Sequence, residues 1–480
     1  MLSRFKPFKL LGGIATAALL AATVGFTTPA RAQVDGVMSA DQFSSLMARA
    51  QEAGQIRIIV GLDVATALTG PMSDDAFDAQ AAAIGAAEAN LVAGLGLGEA
   101  DRSFTTIPYT AITVTPEQLE RLQSMPGVTS VIEDVADAPF LNTSTNLTRA
   151  RQLWRVNGIT GAGTAVAVLD TGLFYWNRAF PSGTILNSAC YSSNACFSYN
   201  GGTICSTSLC RGGVESDRGL RSAPPAPLSV SGAGHGTHVG AIVGARRPLI
   251  LRGMAPGTQL IPIQVFSRFP SSYCGGSSDC VLAWRSDQMA GLERVLTWAR
   301  WSYNVAAVNM SLGGGAYSAH CDAENLAYTQ LIENLRSEGV AVAIATGNDY
   351  YSSYIGFPAC ISAATAVGAT DDSDNIASFS NQAPGGLVDL MAPGVSIHAA
   401  YPDTRTSTAY LSGTSMATPH VAGAFALLRE AFPNATVDEL EQALRCTGVP
   451  VTRSGIAETF YRINVRAAYF AIRRNSVPNC

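Results

Sequence analysis

Short, nearly uninterrupted apolar runs at 164–169, 260–266, 305–310 and 340–345 constrain this chain more than any other feature. A strand with one face in water alternates apolar and polar residues, whereas a strand covered on both faces is apolar throughout. Helical stretches at 287–301 and 326–338 lie among these runs. Doubly buried strands alternating with helices predict an α/β fold, a mostly parallel sheet flanked by helices. In such sheets ligands bind beyond the carboxyl ends of the strands.

Residues 33–140 follow another pattern. A strand is expected at 56–64, an Ala-rich helix at 73–95 and two short strands about Pro108 within 105–115. A helix at 116–125 has proline in its first turn, and a last strand covers 128–135. This β-α-β-β-α-β order predicts a small ferredoxin-like α+β domain. At 480 residues, 47% apolar and 14% charged, the chain is long enough for that unit plus a large core. A net charge of −5 marks no nucleic-acid partner and no membrane-surface patch.

The first 32 residues read as an export signal. Arg4, Lys6 and Lys9 precede an apolar stretch at 10–26, and Ala30-Arg31-Ala32 supplies a small-x-small cleavage site. An uncleaved anchor is the rival reading, but no later segment reaches the roughly 18 apolar residues of a membrane span. All ten cysteines lie after position 189, an even number that in an exported chain favours disulfides over metal binding. Sequence leaves connectivity open. Short loops at 190–196, 205–210 and 274–280 would leave 321–360 and 446–480.

Three motifs carry the chemistry. Gly413-Thr414-Ser415-Met416-Ala417-Thr418-Pro419 puts a serine where a strand-like run gives way to a helix at 416–432. A serine hydroxyl becomes a nucleophile only if a base takes its proton and donors stabilise the resulting oxyanion. Gly234-His235-Gly236-Thr237-His238 offers such a base, with glycines that permit close backbone approach. Asp170-Thr171-Gly172 ends a buried strand, and Asn348 ends another, with a side-chain amide to donate. His235 and His238 lack a carboxylate at the spacing of a zinc site. Acid, histidine and serine in that chain order are the parts of an acyl-transfer site.

The three motifs together resemble the subtilisin-like serine proteases, from about residue 149 to the C-terminal region. The resemblance implies Ser415 as nucleophile, His235 as general base and acid, and Asp170 as the group that orients His235. Asn348 would form the oxyanion hole with the Ser415 N–H. Ser311, Leu312 and Gly313 would pair with extended substrate backbone, and Gly356 would floor the pocket for the residue before the cut. A glycine floor and no evident acid imply a preference for large apolar residues there. The substrates would be proteins and peptides. Residues 33–140 would be a propeptide, serving as intramolecular inhibitor and chaperone, removed by self-cleavage near Phe140 or Leu141. A monomeric protein without a stable membrane anchor, secreted to periplasm or medium, completes the expectation.

Two departures stand out. Residues 171–234 form a long gap bearing four cysteines, read here as a disulfide-stapled insertion bordering the cleft. The stretch 245–252 carries three arginines and no carboxylate, a poor calcium site, while Asp371 matches a ligand position of the proteinase K-like calcium site. No cofactor is needed for the chemistry, and structural calcium stays open. The rival functions are an esterase, which would want Gly-x-Ser-x-Gly with histidine last, and a catalytically silent peptide-binding relative.

Overall fold

The computed structural model describes residues 37–38, 40–66, 73–134, 136–139, 147–247, 251–453 and 458–480. Residues 1–36, which carry the export reading, lie outside these, as do Val135, Phe140 and Leu141. Among the described residues no helix is long and apolar enough to cross a membrane.

The central sheet runs, in spatial order, Ser216–Arg218, Ala189–Tyr191, Gln259–Gln264, Ala165–Asp170, Val305–Met310, Ala341–Ala345, Thr365–Thr370, Leu390–Pro393, Phe460–Arg462 and Val449–Val451. The inner neighbours are parallel and only the two outermost pairs antiparallel. Alternation explains the apolar runs. Ala165, Ala167 and Leu169 face a core shared with Leu292 and Val295 of the Arg285–Trp301 helix and Leu331 of the Leu326–Ser337 helix. Val166 and Val168 face the opposite core, with Ile242 of the His235–Gly244 helix and Val421 and Phe425 of the Thr414–Ala431 helix. Each large aliphatic side chain so buried contributes roughly 1.5–3 kcal/mol.

The N-terminal unit is a four-stranded antiparallel sheet, ordered Arg102–Ser103, Tyr109–Val114, Ile56–Leu62 and Val128–Glu133. Ile58, Val60, Ile112 and Val114 face its own helices, whereas Ile59, Tyr109 and Ala111 join the core beneath the Arg285–Trp301 helix. Its second strand lies before 105, not within 105–115. Thr105 and Thr106 give their N–H groups to Glu293, while Phe104 and Ile107 are buried in the larger core. A helix at Ala40–Ala53 was not anticipated. The Pro116–Leu122 helix starts with a capping box between Thr115 and Gln118, and Ser73 caps Asp74–Leu95.

A third sheet runs Thr207–Ser208, Ser267–Phe269, Cys280–Trp284, Ala136–Pro139, Leu312–Tyr317 and Ile355–Phe357. It places the tail of the N-terminal unit between two strands of the larger one.

Cys274–Cys280, Cys321–Cys360 and Cys446–Cys480 are disulfides, matching the suggested loops. The other two need correction. The insertion is stapled as Cys190–Cys210 and Cys196–Cys205, nested rather than side by side. The reason is a hairpin between Cys196–Tyr199 and Gly202–Cys205 that sets Cys196 opposite Cys205.

Candidate active site

Each proposed catalytic side chain sits at the end of a regular element. Asp170 closes the Ala165–Asp170 strand, and His235 opens the His235–Gly244 helix. Ser415 is the second residue of Thr414–Ala431, which starts two residues earlier than expected and so places the serine inside its first turn. Unpaired N–H groups and the positive end of the helix dipole gather there. The two helices pack against each other.

Asp170 Oδ1 accepts hydrogen bonds from His235 Nδ1 at 2.7 Å and from Thr171 N at 2.7 Å. With its proton on Nδ1, the imidazole keeps Nε2 as an acceptor. That Nε2 is buried and has no hydrogen-bond partner among the described residues. Gly236 makes the approach feasible, because a Cβ there would lie 2.4 Å from the Gly172 carbonyl oxygen and 3.0 Å from Asp170 Oδ1.

The Ser415 hydroxyl donates to the Ser311 carbonyl at 3.3 Å, and no hydrogen bond joins it to His235 in this conformation. Nucleophile–base contacts are often looser without substrate. In return, the Ser311 hydroxyl donates to the Ser415 carbonyl at 2.6 Å and accepts from Asn309 Nδ2 at 3.0 Å. Asn309 and the Ser311 hydroxyl thus fix the start of the serine helix. Sequence reading missed this brace, although a polar residue interrupting the apolar run Val305–Met310 was its visible signal.

Asn348 Oδ1 accepts from Thr414 N at 2.8 Å and from Thr414 Oγ1 at 3.1 Å. With the carboxamide oxygen committed to Thr414, the Nδ2 group is the end left to donate elsewhere.

Leu312 and Gly313, expected to pair with substrate backbone, lie in the Leu312–Tyr317 strand. Leu312 pairs with Pro139 and Gly313 with Ala138. Gly313 has φ +154°, and a Cβ there would meet the Phe357 carbonyl oxygen at 2.4 Å, so the neighbouring strand requires glycine. Gly356 lies in that neighbouring strand and donates to the Thr346 carbonyl at 2.8 Å.

Metal candidates fare poorly. Burial pushes His238 down to about 3, so the ring is neutral, and its Nε2 contacts the Ala409 carbonyl at 3.1 Å. Asp371 accepts from Ser373 N, Asn375 N and Asn375 Nδ2 at 2.8–2.9 Å, closing its own turn. No group of three or more His, Cys, Asp or Glu side chains among the described residues could hold an ion. These donors do not fit calcium at Asp371, and no chemistry is derived through a metal.

A family model described as Subtilase family matches residues 161–460. The chain belongs to the subtilase family. It is 31% identical to an alkaline protease of Alkalihalobacillus alcalophilus over 348 residues, 72% of this chain and 75% of the relative. Subtilisin Savinase of Lederbergia lenta is 32% identical over 291 residues, 60% of this chain and 85% of that protein. An extracellular serine proteinase of Thermus sp. (strain Rt41A) is 39% identical over 218 residues, 45% of this chain and 46% of the relative. This subtilase is a serine-type endopeptidase with an α/β fold, which sets the esterase reading aside.

Proposed function

We propose that this subtilase is a secreted endopeptidase that cuts peptide bonds through an acyl-enzyme on Ser415 and is made as a self-inhibited precursor. One observation carries the reading: the short bond from His235 Nδ1 to Asp170 Oδ1, with His235 Nε2 buried and without a hydrogen-bond partner among the described residues. Rotation of the Ser415 side chain from the Ser311 carbonyl toward Nε2 would let His235 take its proton as the carbonyl carbon is attacked. Asp170 would hold the imidazole in the required tautomer and stabilise the imidazolium. Asn348 Nδ2 and the Ser415 N–H would receive the oxyanion. His235 would return the proton to the leaving amine, and water would repeat the cycle on the acyl-enzyme.

The ferredoxin-like order of the N-terminal sheet supports its reading as a propeptide. So does its tail, Ala136–Pro139, seated beside Leu312–Tyr317 as an extended peptide would be. Pro139 lies opposite Leu312, one residue from Ser311, and the next position in the chain is Phe140. A cut after Phe140 would put a large apolar residue in the specificity pocket, agreeing with the expectation drawn from Gly356.

The test uses processed enzyme. A fluorophosphonate should label Ser415, and denatured casein should be cleaved by wild type but not by His235→Ala whose N-terminal domain has been removed by an added protease. Labelling at another residue, or casein cleavage that survives His235→Ala, would overturn the mechanism. A peptide library cut mainly after Arg would overturn the apolar preference.

A further inference from the structure

We infer that the substrate groove contains an acid-accepting subsite built on Arg285, which selects aspartate or glutamate four residues upstream of the cleaved bond. The inference rests on the proteolytic reading above and adds a specificity determinant to it.

Strand register supplies the first half of the reasoning. Ala136–Pro139 lies antiparallel between Cys280–Trp284 and Leu312–Tyr317, with Ala136 opposite Trp284, Asp137 opposite Ala283 and Pro139 opposite Leu312. With Phe140 as the residue before the cut, position 137 is the fourth upstream. Successive residues of a strand serve opposite faces. Trp284 packs on one face, with its ring 5.8 Å from Phe197 and 5.5 Å from Phe269. Ala283 belongs to the other, and position 137 shares that face by its register, as do Leu312 and Gly314, the latter opposite Phe357. Arg285 opens the helix that follows Trp284.

The second half is where the Arg285 side chain goes. Its guanidinium carbon lies 3.8 Å from the centroid of the Phe357 ring, and one nitrogen donates to Asn325 Oδ1 at 3.4 Å. Phe357 belongs to Ile355–Phe357, the strand beyond Leu312–Tyr317. The cation therefore reaches from one bank of the groove toward the other, on the face that position 137 shares. Phe357 is itself fully buried and meets Tyr328 edge-on, centroids 4.9 Å apart. A guanidinium stacked on a fixed ring is already ordered, so a carboxylate that binds it incurs little further loss of side-chain freedom. Its planar fork of donors is the complement of a carboxylate. The tail carries an aspartate at position 137, in Asp137-Ala138-Pro139-Phe140. An exposed Glu324 lines the neighbouring cavity of about 340 Å³ beside Arg285, where water screens it.

The experiment compares X-Ala-Pro-Phe-p-nitroanilides on processed enzyme, with X as Asp, Asn, Leu or Lys. The expected kcat/KM for Asp exceeds that for the isosteric Asn by about tenfold, the scale of a charge-assisted hydrogen bond. Lys should be poorest, and the Asp advantage should shrink with added salt. Arg285→Leu should bring the Asp/Asn ratio to near one, and Arg285→Lys should retain part of it. Both rates come from one preparation, so the ratio does not depend on how much of a variant is folded. Equal rates for Asp and Asn in wild type, or an unchanged ratio in Arg285→Leu, would overturn the subsite while leaving proteolysis intact. Failure to cleave any of the four would instead overturn the proteolytic reading.

Discussion

Two sheets of this molecule are covered on both faces, and their covers differ in chemistry. The central sheet meets its helices through aliphatic side chains such as Leu169, Val308, Val168 and Val421. The N-terminal sheet meets the Arg285–Trp301 helix through apolar residues and a set of buried charges. Arg57 pairs with Asp134 at 2.6 Å, Arg102 pairs with Asp287, and Glu293 accepts the N–H groups of Thr105 and Thr106. Asp287 also accepts from Ser193 N at 2.8 Å and Ser193 Oγ at 2.9 Å, which ties the disulfide-stapled insertion into the same seam. A buried ion pair is tight only while complete, because each partner left alone retains its desolvation cost. Once the parts separate, those groups can be rehydrated, whereas an apolar seam would leave a sticky patch. On the proposed precursor reading, the central sheet stays closed while the seam holds until processing opens it.

The largest effects should fall on catalysis and stay within the central-sheet half. Asn348→Ala is expected to lower kcat by about 10²–10³, the loss typical of a missing side-chain oxyanion donor. Steady-state assays on processed enzyme measure it, and an unchanged kcat would remove Asn348 from the oxyanion hole.

Stability separates the two regions next. In a precursor kept intact by Ser415→Ala, Asp287→Ala strands Arg102 and should cost about 3–5 kcal/mol in urea unfolding. The same substitution should cost far less once residues 33–140 are gone. Leu169→Ala, in the central sheet, should cost about 2–5 kcal/mol in both forms. Equal losses for Asp287→Ala with and without the N-terminal domain would make it a core residue rather than a seam residue. A smaller effect is expected for the insertion, where replacing Cys196 and Cys205 by serine should cost roughly 2–3 kcal/mol.

The last prediction concerns pH. Burial, with Glu441 nearby, pushes the Asp389 carboxyl up to about 8. The folded state then holds a proton that the unfolded state has already released, so the stability this group confers is lost as pH rises toward about 8. Asp389→Asn, which cannot ionise, should match wild type in acid and melt at higher temperature above pH 8. A melting difference that does not grow with pH would contradict that assignment.

The central sheet was legible because burial on both faces writes itself as an apolar run, as at Val305–Met310. The site was legible because its three motifs each need glycines or turns that leave a local trace, as Gly236 does beside Gly172. Partnerships between distant residues left no such trace. The Cys190–Cys210 and Cys196–Cys205 pairing depends on a hairpin register, and spacing alone favoured the wrong neighbours. The strand at Arg102–Ser103 was misplaced because Glu293, far along the chain, takes the N–H groups of Thr105 and Thr106. Arg57 and Arg102 look like ordinary surface arginines until their carboxylates are brought to them.

The most direct test of the account is to purify the precursor as wild type and as Ser415→Ala and follow its mass over time. Wild type should shed the N-terminal domain at a rate independent of protein concentration, leaving a new N-terminus just after position 140. Ser415→Ala should stay intact, slowed on the order of 10⁶-fold, the loss found when the subtilisin nucleophile is removed. Processing of the purified Ser415→Ala chain at the wild-type rate would contradict the claim that Ser415 performs the cut.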